Sequence, residues 1–160
     1  MNATSRPVDT QREKENLRVR VLVIDDEPDV LLLCRMNLQF AGHEVLEAAD
    51  GERGLELART GHPDLIVLDI MLPNVDGLTV LRELGRHPAT RETPVVLLTA
   101  KVQREDQLRG WRAGCDEYVT KPFSPTALSD LVTRVAAMSR DERSLNRNRA
   151  IEELRGSLQS

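Results

Sequence analysis

A four-residue apolar run that ends directly in a carboxylate, Leu65–Leu68 followed by Asp69, constrains the fold of this chain most. A run without polar alternation suits a strand that is buried on both faces of a parallel sheet. Asp69 then stands where the strand leaves the core, and open α/β sheets bind ligands at the carboxyl ends of their strands. A lone aspartate at such a place is more often a helix cap or a turn former, so the other strand ends must decide its role.

The pattern of an apolar strand followed by an amphipathic helix recurs five times along the chain. Strands are predicted at 21–24, 44–48, 65–68, 94–99 and 115–120, with helices near 28–41, 51–60, 78–84, 103–113 and 125–138. This alternation predicts an α/β fold with right-handed crossovers, a doubly wound five-stranded parallel sheet and helices on both faces. In the flavodoxin-like order 2-1-3-4-5, the first, third, fourth and fifth strands are neighbours.

The two ends of the chain differ in composition from this compact region. Residues 1–18 are polar and charged without apolar periodicity, which predicts a disordered leader before a domain at 19–138. The tail 139–160 is charged and carries Ile151, Leu154 and Leu158 at helical spacing. Three interpretations of the tail stay open: a continuation of the last helix, a separate helix that docks or pairs, and a solvated tail.

Charge and composition restrict the partners. The net charge is −4 and the acidic groups concentrate in 21–138, which disfavours polyanion binding and suits a cation site. Few aromatic residues disfavour nucleic-acid binding by base stacking. The two cysteines lack metal-ligand spacing, which predicts free thiols in a reducing compartment. No signal-peptide core and no apolar run of about 20 residues occur, so we expect a cytoplasmic protein without a membrane partner.

Polar side chains collect at the ends of the predicted neighbouring strands. Asp25 and Asp26 follow the first strand, Asp69 the third and Lys121 the fifth, while Thr99 ends the fourth. Three close carboxylates raise one another's pKa, and Mg²⁺ relieves this repulsion with an oxygen ligand shell. Lys121 and Thr99 offer a charge and a hydroxyl to phosphate oxygens, and the Asp69 carboxylate could attack phosphorus to form an acyl phosphate.

Each of these residues also has an ordinary structural explanation. Asp25 or Asp26 could be a helix N-cap, Thr99 a routine strand-end residue and Lys121 a solvated side chain. Their joint placement at four strand ends is what favours a functional site.

The sequence resembles the receiver domain of a bacterial two-component response regulator over about 20–138. The resemblance depends on four blocks, which are Val23-Ile24-Asp25-Asp26-Glu27-Pro28, Leu68-Asp69-Ile70-Met71-Leu72-Pro73-Asn74-Val75-Asp76-Gly77, Leu98-Thr99-Ala100 and Tyr118-Val119-Thr120-Lys121-Pro122-Phe123.

The resemblance implies a role for each site position. Asp69 would be the phosphoacceptor, and Asp26, Asp69 and the Met71 carbonyl would bind Mg²⁺ directly, with Mn²⁺ as an alternative ion. Asp25 would act mainly through a metal-bound water. Thr99 and Lys121 would bind the phosphoryl oxygens.

Further positions follow from the same resemblance. Thr99 and Tyr118 would form the switch, Ala100 would leave room for the phosphoryl group, and the Lys121–Pro122 bond would be cis. Met71 and Lys101 occupy the two positions that tune phosphate loss in this family. An apolar side chain and a cation cannot orient a hydrolytic water as an acid or amide could, which predicts slow self-dephosphorylation.

As a receiver, the protein would accept a phosphoryl group from a sensor histidine kinase or a histidine phosphotransfer protein. It would not be an enzyme that acts on other substrates, because it would catalyse only its own phosphorylation and dephosphorylation. The fourth helix, fifth strand and fifth helix would form its output surface for a downstream protein. The 22 residues after Met138 are too few for a DNA-binding domain, which predicts a stand-alone receiver whose tail supports a homodimer or partner docking.

Two alternatives stay open. The first is a small Mg²⁺-dependent phosphohydrolase with an aspartyl nucleophile. Such an enzyme would need a general acid at position 71, and the methionine found there argues against this alternative. The second is that these residues are the front part of a longer regulator.

Overall fold

The computed structural model describes residues 18–159, with side chains described as far as Gly156, so the predicted leader lies outside the described residues except for Arg18. The strands are β1 (Arg20–Ile24), β2 (Glu44–Ala48), β3 (Leu65–Leu68), β4 (Val95–Thr99) and β5 (Glu117–Thr120). The helices are α1 (Pro28–Phe40), α2 (Gly51–Thr60), α3 (Gly77–Arg86), α4 (Arg104–Arg112), α5 (Pro125–Ala137) and α6 (Arg140–Gln159).

The five strands form one parallel sheet in the order β2-β1-β3-β4-β5. This confirms the predicted doubly wound, flavodoxin-like fold. The order places β1 and β4 on either side of β3, and β5 beside β4 at one edge of the sheet. The carboxyl ends of β1, β3, β4 and β5 therefore meet at one end of the sheet.

Each face of the sheet carries its own hydrophobic core. Alternate residues of β1 point to opposite faces, so that Val21 and Val23 belong to one core and Leu22 and Ile24 to the other. Residues of α1 and α5 complete the first core, and residues of α2, α3 and α4 complete the second. All four side chains of β3 are buried, as expected for a central parallel strand.

The tail forms a helix separate from α5. Met138 has an extended backbone and ends α5. Ser139 and Glu142 then make a reciprocal capping box, in which the Ser139 hydroxyl accepts from Glu142 N–H and the Glu142 carboxylate accepts from Ser139 N–H, both at 3.1 Å. α6 returns along the domain and packs against α4, with Ala150, Ile151 and Leu154 contacting the core on that face.

Two further expectations concern cysteines and membranes. Cys34 and Cys115 are free and buried. In residues 18–159, no helix combines the length and apolar character needed to cross a bilayer.

Candidate functional site

The backbone ladder of the sheet continues one residue beyond the strands and fixes two site residues. Asp69 N–H donates to the carbonyl of Ile24 at 3.0 Å, and Lys121 N–H donates to the carbonyl of Thr99 at 2.8 Å. These bonds hold residues that follow β3 and β5 in the register of their neighbouring strands. The Lys121–Pro122 peptide bond, directly after this point, is cis.

The ammonium group of Lys121 lies between the carboxylates at the ends of β1 and β3. Its Nζ is 2.9 Å from Asp25 Oδ2 and 3.0 Å from Asp69 Oδ2, with Glu27 Oε1 at 3.6 Å. Only 12% of the lysine side chain is exposed. Burial lowers the pKa of Lys121, but the close contacts of its ammonium with the Asp25 and Asp69 carboxylates outweigh burial and leave this pKa raised. The lysine is therefore held in its charged form.

Negative charge exceeds positive charge in this cluster. One carboxylate oxygen from each of Asp25, Glu27 and Asp69 lies within 4.8 Å of the others, and Lys121 is the cation that faces them. Burial, reinforced by the charge of Asp69, raises the pKa of Asp25. A cluster of this kind favours an additional cation.

The buried oxygen Asp25 Oδ2 supports the same conclusion. Asp25 Oδ1 accepts from Glu27 N–H at 2.9 Å, whereas Oδ2 makes only the ion pair with Lys121. This ion pair, at 2.9 Å, is the one contact of Oδ2 among the described residues. Oδ2 is therefore incompletely satisfied and has lone-pair capacity for a further partner. An oxygen in that state, beside two further carboxylates, fits a hard divalent cation.

The structure places the other predicted metal ligands beside this cluster, not in it. Asp26 is exposed, and it lines an open cavity together with Met71 and Lys101. The Met71 amide N–H donates to Asp69 Oδ1 at 2.9 Å, which fixes the loop after β3 against the phosphoacceptor candidate. Glu27, which the sequence analysis did not assign to the site, is the third member of the carboxylate group. Its position directly after Asp25 and Asp26 was the available signal.

Thr99 and Tyr118 are joined through the backbone of Lys101. Thr99 is fully buried, and its hydroxyl oxygen accepts from Lys101 N–H at 3.3 Å. The Tyr118 hydroxyl donates to the Lys101 carbonyl at 2.8 Å. Burial, with a contribution from the charge of Asp106, raises the pKa of Tyr118, so the phenol stays protonated as a donor. The two predicted switch residues thus contact the same short segment after β4.

Gly77 brings the start of α3 against the end of β3. A Cβ at this position would overlap the Asp69 carbonyl oxygen and lie 2.5 Å from Ile70 Cα, and Gly77 N–H donates to the Ile70 carbonyl at 2.7 Å. The close approach shows that only glycine fits here without moving the Asp69 backbone.

Comparison with known proteins agrees with this geometry. The family model of the response regulator receiver domain matches residues 21–133. The DNA-binding dual master transcriptional regulator RpaA of Synechocystis sp. is 45% identical over 121 residues, which cover 76% of this chain and 49% of RpaA.

Solved receiver domains have the same fold. The receiver domain of the Francisella response regulator 1452 is 33% identical, with a TM-score of 0.70 over 74% of this chain and 97% of that one. The receiver domain of a sensor histidine kinase from Pseudomonas aeruginosa PAO1 is 27% identical, with a TM-score of 0.70 over 76% of this chain and 99% of that one; it has a magnesium ion coordinated in its active-site cleft.

These relatives correct the predicted partners. The prediction that the protein has no DNA-binding domain is wrong, because the curated relatives include DNA-binding transcriptional regulators. The chain spans about half the length of the curated relatives it matches. The acidity of 21–138 describes the receiver region alone and carries no information about a domain elsewhere in a regulator.

The acidic strand-end cluster with its lysine, the parallel five-stranded sheet and the family match over residues 21–133 agree with one another. On these grounds the chain belongs to the response regulator receiver domains of two-component signalling.

Proposed function

We propose that Asp69 accepts a phosphoryl group from a phosphohistidine of a sensor histidine kinase or a histidine phosphotransfer protein. In this step an Asp69 carboxylate oxygen attacks phosphorus, the P–N bond to the donor histidine breaks, and an acyl phosphate forms. The chain would catalyse this transfer and the later loss of its own phosphate, and no other reaction.

The observation that carries the proposal is the ammonium of Lys121, held between Asp25 and Asp69 at 2.9 and 3.0 Å. A transferring phosphoryl group spreads negative charge over its oxygens, and a buried, protonated lysine beside the acceptor oxygen stabilises that charge. The Met71 N–H is a further donor to Asp69, and Thr99, at the end of the neighbouring strand β4, offers a hydroxyl at the same end of the sheet. Asp69 itself is buried and oriented by two hydrogen bonds, one on each carboxylate oxygen.

A divalent cation fits the acidic side of this site. Asp25, Glu27 and Asp69 form the close carboxylate group, and Asp26 with the Met71 carbonyl are further oxygen donors at its edge. Mg²⁺, or Mn²⁺ in its place, would supply charge neutralisation for carboxylates and phosphoryl oxygens together. The incompletely satisfied Asp25 Oδ2 supports this assignment.

The acyl phosphate is proposed to be long-lived. Met71 and Lys101 line the open cavity beside Asp26, and both side chains are exposed. Neither a thioether nor an ammonium can accept a proton from an attacking water, so neither side chain acts as a general base there.

The proposed output surface consists of α4, β5 and α5. Tyr118 on β5 is the residue of this surface that is tied to the site, through its hydrogen bond to the Lys101 carbonyl. A change at Thr99 that moves Lys101 would alter this hydrogen bond and the packing of the Tyr118 ring.

Intact-mass analysis after incubation with acetyl phosphate and Mg²⁺ tests the proposal. We expect one phosphoryl group per chain, lost on omission of Mg²⁺, and none on an Asp69→Asn variant. An Asp64→Asn variant, which changes an exposed aspartate outside the site, is the matched control and should be labelled like the wild type. Sustained turnover of acetyl phosphate or of small phosphate esters, without stable labelling, would support the phosphohydrolase alternative instead.

A further inference from the structure

The side of α6 that faces the domain is anchored by a buried aspartate. Asp116 lies directly before β5 and is 3% exposed. Its carboxylate pairs with Arg147 at 2.7 Å and with Arg143 at 3.7 Å, and it also accepts from Val95 N–H at 2.9 Å. The first of these pairs joins residues 31 positions apart, so the anchor fixes the helix against the entry to β4 and β5.

Two more polar contacts extend this anchor. Arg147 Nε donates to the Cys115 carbonyl at 3.0 Å, and Asn146 donates to the Asp116 carbonyl at 3.4 Å and to Glu117 at 3.3 Å. α6 therefore holds the connection between α4 and β5 through both side-chain and backbone groups.

The apolar part of the contact lies farther along α6 and meets α4. Trp111, the single tryptophan of the chain, is 6% exposed. It lines a groove between the two helices together with Ala150 and Leu154. Positions 143, 147, 150, 151 and 154 follow helical periodicity, which places the arginine anchors and the apolar residues on one side of α6.

α4 also packs against the switch residue Tyr118. A Cβ on Gly110 would lie 3.0 Å from the Tyr118 ring, so the α4 backbone directly contacts this ring. The Tyr118 hydroxyl bonds to the Lys101 carbonyl, and the Lys101 amide bonds to Thr99. α4 thus lies between α6 and the segment that would respond to a phosphoryl group on Asp69.

The α6 interface is suited to release. None of the α6 residues whose side chains are described is fully buried, and the apolar contact is limited to Ala150, Ile151 and Leu154. Arg143 Nε is buried without a hydrogen-bond partner among the described residues, which weakens the anchor. A helix with few buried apolar contacts separates from its domain at a lower free energy than global unfolding requires.

We propose that α6 is an intramolecular clamp, whose docking on α4 and Asp116 opposes phosphorylation of Asp69 and is loosened by it. The proposal rests on the phosphoacceptor function proposed above. Phosphorylation converts the Asp69 carboxylate into an acyl phosphate, which carries more negative charge and three further acceptor oxygens at this position. Drawing the Thr99–Lys101 segment toward that charge disturbs Tyr118 and the packing of α4, while docked α6 restrains α4. Because the two effects are linked thermodynamically, release of α6 strengthens binding of a phosphoryl mimic by the same factor as the mimic weakens docking.

The first test uses the full chain with Mg²⁺ and beryllofluoride as the phosphoryl mimic. Bound beryllofluoride is observed directly by fluorine NMR, α6 docking by hydrogen exchange of its amides, and the α4–α6 groove by Trp111 fluorescence. We expect α6 amides to exchange about fivefold faster or more when the mimic is bound. Unchanged exchange in α6 with the mimic bound overturns the clamp and leaves the phosphoacceptor function intact. Absence of any bound fluorine signal overturns the phosphoacceptor function and, with it, the clamp.

The second test measures the reciprocal effect. An Arg147→Gln variant removes the 2.7 Å anchor and should bind beryllofluoride about fivefold more tightly. Arg149→Gln makes the same charge change at an exposed position of α6, and its affinity should equal that of the wild type. Leu154→Ala weakens the apolar contact with the ion pairs intact, and should act in the same direction as Arg147→Gln even if that variant folds poorly. If Arg147→Gln and Leu154→Ala both bind beryllofluoride with wild-type affinity, the clamp is overturned.

Discussion

The two ends of the sheet each bury an aspartate beside basic residues, and the balance of charge is opposite. At the carboxyl ends of the strands, Lys121 faces the three carboxylates of Asp25, Glu27 and Asp69. At the amino end of β5, the single carboxylate of Asp116 faces two guanidinium groups and a backbone N–H.

This difference separates a site for chemistry from a structural anchor. An acid-rich cluster keeps an oxygen without a full complement of partners and gains from an added cation. The Asp116 carboxylate already has its partners within the protein and does not require an added cation. Removing this carboxylate would leave the two arginines buried without an ion partner. Burial of an aspartate alone therefore does not identify a functional site, whereas the excess of acid over base does.

The largest change in the free energy of unfolding is expected at Gly77, whose backbone approaches that of Asp69 closely at the acid-rich end. Gly77→Ala should destabilise the protein by about 3 kcal/mol, because the new Cβ overlaps the Asp69 carbonyl and the β3–α3 junction must shift. Urea unfolding measures the change. Gly85→Ala on the same helix is the control: no atom lies within 4 Å of its new Cβ, and better helix propensity should stabilise by about 0.5–1 kcal/mol. Equal effects of the two substitutions would refute the close-approach argument.

Next in size is the loss of the anchor aspartate. Asp116→Asn should destabilise by about 2 kcal/mol, because Asn can keep the bond from Val95 N–H but leaves Arg147 and Arg143 without their ion partner. Chemical denaturation in the absence of Mg²⁺ measures it. A stability equal to that of the wild type would mean that the charges at this end contribute no free energy.

The corresponding change at the acid-rich end should have the opposite sign. Asp25→Asn removes one buried carboxylate from a group of three and should stabilise the metal-free protein by about 1 kcal/mol. The direction follows from the raised pKa of Asp25, since burial and then Asp69 disfavour its charged form. The same unfolding experiment as for Asp116→Asn gives the comparison, and destabilisation by Asp25→Asn would break the proposed distinction between the two ends.

His43, a buried polar group outside both ends of the sheet, should have the smallest effect on stability. This effect depends on pH. His43 Nδ1 accepts from Val19 N–H at 3.1 Å, so the neutral ring donates through Nε2 to Thr133 Oγ1 at 2.9 Å. Burial lowers the pKa of His43 from its ordinary value of 6.5. The unfolded chain is therefore protonated first, and stability should fall as the pH drops below about 6.5 toward the lower folded pKa.

Unfolding at pH 7.5 and 5.5 measures this pH dependence. In a His43→Gln variant, the amide can retain both hydrogen bonds without titrating. The loss between the two pH values should be smaller in this variant than in the wild type. An identical loss in both proteins would assign the pH dependence to other groups.

The strand ends could be predicted from sequence because the signals there are local. Apolar runs that end in Asp25, Asp69 and Thr99 give both the strand and the polar residue that follows it, and alternation with helices gives the parallel order. Glu27 and Gly77 were not assigned to the site. Their roles depend on distances between β1, α3 and the end of β3, and such distances appear only when the elements are packed.

The amino end of β5 was beyond prediction for a different reason. Asp116 and Arg147 are paired across 31 residues, and neither occupies a recognisable spacing in the sequence. The tail shows too few apolar residues to decide between docking and solvation. The capping box of Ser139 and Glu142 is the local signal that distinguishes a new helix from a continuation of α5.

Calorimetric titration with Mg²⁺ tests whether the acid-rich end binds a cation and the Asp116 anchor does not, by comparing the wild type with the Asp25→Asn and Asp116→Asn variants. We expect one bound ion in the wild type, affinity at least about tenfold weaker in Asp25→Asn, and affinity in Asp116→Asn no weaker than in the wild type. Equal Mg²⁺ affinity in the wild type and in Asp25→Asn would contradict this expectation, as would a wild type that binds no ion.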